Sequence, residues 1–238
     1  MLAAVGWGAL AASSLVLGAL LAFARRWPKR QVGLVLAFGA GALISAVSFE
    51  LAGEGIAVGS LRSTAVGLGV GALAYFVLDG LIESRAGGGS AGDASDAGPA
   101  LALGAFLDGI PEQLVLGIGL SGGEGVGVGL LVAIFVSNLP EAIGSASEME
   151  RSGTARPTIL RLWGVVAALC ALATVVGYAI ADGASGELRA GIDGFAAGAL
   201  LVMLIDSMIP EATRDSGRVA GLVTTLGFAV ATGLSSVS

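Results

Sequence analysis

Two short segments carry the residue types best suited to chemistry: Leu107-Asp108-Gly109-Ile110-Pro111-Glu112 and Val136-Ser137-Asn138-Leu139-Pro140-Glu141. Each places a polar residue, an apolar residue, a proline and a glutamate in the same order inside an apolar run. An ionisable side chain is costly there and needs a partner. Helical spacing puts Asp108 and Glu112 on one face at i,i+4, and does the same for Ser137 and Glu141, with Asn138 close by. A proline frees a backbone carbonyl and kinks a helix, which suits a cavity better than a packed core. Two such helices joined by a short loop run antiparallel and bring four or five oxygen-bearing groups together at mid-membrane. That is a cation site in outline.

The elements that must position these groups are membrane helices. The hydrophobic fraction is 55%, only 13% of residues are charged and mean hydropathy is +0.90, which excludes an ordinary soluble domain. Glycine supplies 40 of 238 residues, and small residues let membrane helices approach closely. Histidine is absent, removing the commonest transition-metal ligand and general base. The single cysteine, Cys170, excludes an intramolecular disulfide and reads as packing in an apolar run.

Runs long enough to cross a bilayer, roughly 20 residues each, fall near 3–23, 31–52, 64–83, 100–120, 126–148, 158–181, 190–211 and 217–236. The chain is thus expected to be an all-α membrane protein of eight transmembrane helices, one polytopic domain over 1–238. The first run lacks a basic leader region and a small-residue cleavage site, so it reads as a retained helix. Arg25, Arg26, Lys29, Arg30, Arg85, Arg151, Arg156, Arg161, Arg214 and Arg218 fall on one side; only Arg62 and Arg189 fall on the other. The positive-inside rule then places both termini outside the cell membrane. Trp7, Trp27 and Trp163 fall near helix ends, as interfacial anchors should. The segment 84–99, with Gly87-Gly88-Gly89-Ser90, Asp93 and Asp96, reads as a flexible cytoplasmic linker between helices 3 and 4.

An internal echo pairs Phe38-Gly39-Ala40-Gly41-Ala42-Leu43 with Phe195-Ala196-Ala197-Gly198-Ala199-Leu200, and the same register pairs Glu54 with Glu211. These segments belong to helices 2 and 7, which cross in opposite directions. An inverted repeat of helices 1–3 against helices 6–8, around the central 4/5 pair, follows.

On these residues the chain resembles the ZIP family of divalent-metal transporters. The likeness extends to Ala40-Gly41-Ala42-Leu43, Leu78-Asp79-Gly80-Leu81 and Met208-Ile209-Pro210-Glu211. It covers nearly the whole chain and implies metal passage between helices 4 and 5, by an elevator-like shift of one bundle against another. The family's His-Asn-x-Pro-Glu-Gly pattern in helix 4 falls on Asp108, Gly109, Ile110, Pro111, Glu112 and Gln113. Its polar pair and glutamate in helix 5 fall on Ser137, Asn138 and Glu141. The helix 6 acid of some members falls at Ala167. Asp206 stands where helix 7 often has histidine, and with Asp79 it makes a secondary, exit-side candidate to which Ser137 is added.

Asp108, Glu112, Asn138 and Glu141 are therefore the expected metal ligands. Two readings compete for the acids, a cation site or a hydrogen-bond network tying two kinked helices together. Asn138 is ligand or interhelical glue, and Gln113 a supporting or gating residue. An oxygen-only shell suits manganese or ferrous iron better than a histidine-bearing one does, so zinc, manganese and iron are the expected cargo, with no resident cofactor. Rival readings are a transport-inactive regulatory relative and an intramembrane hydrolase using Asp108 and Glu112 as an acid–base pair. The hydrolase reading lacks a nucleophile or a metal-activating histidine, so no enzyme is expected. Expected partners are divalent metal ions and the lipid bilayer, with a homodimer as a candidate assembly and no nucleic acid.

Overall fold

In the computed structural model the backbone is described for residues 1–86, 97–121 and 128–236, and the side chains of these residues outside 82–108. Every regular element among the described residues is helical. Eight helical segments follow one another: α1 Leu2–Ala24, α2 Lys29–Val58, α3 Leu61–Ala86, α4 Ala97–Ser121, α5 Val128–Arg151, α6 Arg156–Ala181, α7 Gly186–Ser216 and α8 Val219–Ser235. Six of them (α1, α2, α3, α5, α6 and α7) are long and apolar enough to cross a membrane, and α8 is a shorter apolar helix.

Helices α3 and α4 reach Ala86 and start at Ala97, so both ends of the expected 84–99 segment are helical; the rest of that segment lies outside the described residues. Helices α2 and α7 run beyond the expected 31–52 and 190–211, each through a widened π-helical stretch, Val47–Gly53 and Leu204–Met208. In α7 the stretch ends just before Pro210, which cannot donate its backbone bond and crowds the preceding turn. The register that aligns Phe38 with Phe195 also aligns Val47 with Leu204, the first residues of the two stretches. Helices α4 and α5 continue through Pro111 and Pro140.

Glycine sets the packing. Gly41 of α2 lies against the Thr224 carbonyl of α8, and Gly227 of α8 against the Phe38 carbonyl of α2. In the same way Gly198 of α7 meets the Leu68 carbonyl of α3, and Gly71 of α3 meets the Phe195 carbonyl. A β-carbon at any of the four would overlap a backbone oxygen, so these helix pairs close only with glycine there. The result is two reciprocal pairs, α2 with α8 and α3 with α7.

Around them α1 packs on α5 and α6, and α4 packs on α6. Two apolar cores result, a larger one drawn chiefly from α2, α4, α5, α7 and α8, and a smaller one from α1, α5 and α6. Trp163 sits in the smaller core with no exposure, between neighbours such as Leu15, Met149 and Ile159. It is a buried core residue and not the interfacial anchor its position near a helix end suggested; the helix turns its ring towards α1 and α5. Trp27, in the turn between α1 and α2, is half-buried, donates to the Leu21 carbonyl at 2.8 Å and carries Arg25 over its ring.

Candidate metal site

Helices α1 and α2 press on α5 from two sides and fix the turn that carries its polar residues. A β-carbon on Gly39 would lie 2.9 Å from Ser137 Cα, and one on Gly18 would lie 2.7 Å from the Leu139 carbonyl oxygen. With no room to shift, α5 presents Ser137 and Asn138 to α4.

There they meet Glu112, which is 1% exposed. Ser137 Oγ stands 2.9 Å from Glu112 Oε1 and 3.0 Å from the Ile134 carbonyl, either of which its single proton can serve. Asn138 Nδ2 donates to Glu112 Oε2 at 2.6 Å and to the Ile134 carbonyl at 2.8 Å. Both amide protons are thereby used, which fixes the amide's orientation. Its Oδ1 is buried and has no hydrogen-bond partner among the described residues. A carboxylate held by neutral donors through both oxygens is the strong form of the hydrogen bond, and it ties α4 to α5.

Helix α6 closes the other side in parallel register with α4. Gly109 faces Cys170, and one turn later Gln113 accepts a 2.6 Å bond from Thr174 Oγ1. Gln113 Nε2 is buried and has no partner among the described residues. Cys170 lies within electrostatic reach of both Glu112 and Glu141, so the second glutamate, half-buried on α5, borders the same region. Gln113 was expected as a supporting or gating residue, whereas Cys170 and Thr174 were not legible as site residues. Gly109 and Gln113 share the i,i+4 spacing of Cys170 and Thr174, but nothing in sequence brings those two faces together.

The structure thus brings Glu112, Ser137 and Asn138 into direct contact, and Glu141 lies within electrostatic reach of Cys170, as Glu112 does. The Asp108 side chain lies outside the described residues. Asp79 is half-buried on α3, and Asp206 is exposed in the π stretch of α7. Among the described residues no three acid or cysteine side chains converge as one metal-binding group.

A cavity of about 1120 Å³ separates the α3/α7 pair from α4 and α6. Ile110 and Pro111 of α4 line it next to the site, and Val70 of α3 and Phe195 of α7 line it too. Its walls are largely apolar; Ser60, Arg62, Ser63 and Glu187 gather at its polar rim. Nearby, Arg189 of α7 bonds Glu54 of α2 at 2.8 Å and stands 3.8 Å from the buried Asp193.

A family model described as ZIP zinc transporter matches residues 83–235. The chain is similar to a candidate zinc transporter of Arabidopsis thaliana, At3g08650, at 30% identity over 207 residues, which is 84% of this chain and 33% of that protein. It is also similar to the zinc transporter SLC39A7 of Mus musculus, at 27% identity over 128 residues, 51% of this chain and 26% of that one. The chain therefore spans between a quarter and a third of the length of these relatives.

Proposed function

The chain belongs to the ZIP zinc transporter family, and from that premise we propose that it carries divalent cations across the cell membrane through a site between α4 and α5. Glu112 and Glu141 are the central ligands, with Asn138 and Asp108 completing the set. Ser137 acts from behind, orienting the Glu112 carboxylate. The observation that carries this reading is the Glu112 carboxylate itself, buried to 1% exposure and aimed by two α5 side chains. A buried acid inside an apolar bundle marks an ion pathway by default. The hydrogen bonds also supply the helix-tying network that the sequence offered as the alternative, and the two roles are compatible: the network holds the ligand in place between cargoes. Family membership speaks against the hydrolase reading.

All eight helices cross the membrane in this account, with both termini outside, a reading that the distribution of basic residues supports. The matched π stretches and the reciprocal glycine contacts support an inverted repeat that relates α1–α3 to α6–α8 and α4 to α5. The cavity between the α3/α7 pair and α4/α6 supports relative movement of two bundles, because a poorly filled boundary resists sliding less than a close-packed one. The test is metal uptake into proteoliposomes by the purified chain, with zinc, manganese and ferrous iron each supplied alone. Uptake of none of the three, by protein shown to be folded, would refute the proposal.

A further inference from the structure

We propose that Cys170 supplies a sulfur donor to the transported metal, across the gap left by Gly109 and opposite the carboxamide oxygen of Asn138. The inference rests on the metal site proposed above and adds a donor from a third helix, α6.

A β-carbon on Gly109 would lie 3.0 Å from Cys170 Sγ and 3.5 Å from Asn138 Oδ1. Both atoms therefore border one small space on α4, one turn before Glu112. Asn138 is 1% exposed, and its oxygen, with the amide nitrogen committed elsewhere, has no partner among the described residues. A buried amide oxygen left unsatisfied is costly, and this one is aimed at the space that Sγ also faces. Cys170 is fully buried. A divalent metal in that space would satisfy the orphaned oxygen and take sulfur from α6, amide oxygen from α5 and carboxylate from α4. Its binding replaces the S–H bond by a sulfur–metal bond, and the proton leaves to water.

The consequence is selectivity. An oxygen-only set favours manganese, whereas a thiolate donor moves preference towards zinc and cadmium. Cys170 would thus restore softness that the missing histidine removes.

The cysteine is the only one in the chain, so any thiolate signal is its own. Cadmium added to the purified full chain should produce the ultraviolet sulfur-to-cadmium charge-transfer band, and Cys170→Ser should abolish it. Losing even a hydrogen-bonding neighbour of a ligand commonly costs about 10- to 100-fold in metal affinity. Cys170→Ser should therefore lower cadmium uptake relative to manganese by at least about tenfold. Gly109→Ala, whose methyl group intrudes between sulfur and amide oxygen, should weaken the band with the cysteine still present. A wild-type protein that shows no band at saturating cadmium overturns the proposal, as does an unchanged cadmium-to-manganese ratio in Cys170→Ser. The band is read on purified protein, so it decides the sulfur donor even where uptake fails. Loss of manganese uptake in the wild type would count against the transport reading alone.

Discussion

Asn138 gives one amide proton to Glu112 across the α4–α5 boundary at 2.6 Å and leaves its own oxygen facing the Cys170 side of the site, without a partner among the described residues. One side chain thus joins the acid that draws a cation to the space in which a cation would sit. Its nitrogen holds the ligand, and its oxygen is available to the cargo.

Removing that side chain should unsettle the pair of helices as well as the site. Asn138→Ala leaves a buried Glu112 oxygen short of a donor, a loss of about 1–3 kcal/mol. Thermal unfolding in detergent should occur at a lower temperature than for Ser137→Ala, because Asn138 holds Glu112 by the shorter bond and bonds the Ile134 carbonyl at the same time, whereas the single proton of Ser137 serves only one of the two. Equal midpoints for the two variants would contradict this ranking.

The glycine contacts predict a sharp positional contrast. Gly41→Ala or Gly198→Ala drives a methyl group into a carbonyl of the neighbouring helix, and overpacking of this kind costs about 1–3 kcal/mol. Gly69→Ala and Gly221→Ala meet open space and should leave the unfolding temperature unchanged or slightly raised. All four variants measured side by side would show whether close approach, and not composition, explains the abundance of glycine.

Arg189 has 13% side-chain exposure and stands between Glu54 and Asp193, the latter 3% exposed. Arg189→Met leaves a buried acid without its cation, a change that typically costs 3–5 kcal/mol. The double variant Arg189→Met/Asp193→Asn should recover much of the loss. Failure of the second substitution to recover stability would show that the arginine acts through packing alone.

The proposed topology places the α5–α6 turn and the α6–α7 turn on opposite sides. In a Cys170→Ser background, Ala155→Cys should react with an impermeant thiol reagent only from the cytoplasmic side, and Asp182→Cys only from outside. Reaction of both from one side would break the eight-crossing account.

Much of this was legible because membrane helices announce themselves by length and hydropathy, and because intramembrane acids are rare. Glu112, Ser137 and Asn138 sit together as their shared proline–glutamate spacing implied. The echo at Phe38 and Phe195 foreshadowed the aligned π stretches, although widening of the helix at Val47 has no local signal such as a proline. Trp163 misled because proximity to a helix end says nothing about which way a ring faces. Cys170 was hidden for a similar reason. Its partner is the absent side chain of Gly109, and a contact with empty space between two helices 61 residues apart in register leaves no periodic trace.

The central claim, that Glu112 holds the transported metal, is tested most directly by zinc and manganese uptake into proteoliposomes containing Glu112→Gln, beside the wild type and Glu141→Gln. The substitution keeps the side chain's size and removes its charge, and size-exclusion and thermal profiles verify the fold. The account predicts that Glu112→Gln falls to the level of protein-free vesicles for both metals while the protein stays folded. Wild-type uptake by folded Glu112→Gln would contradict it.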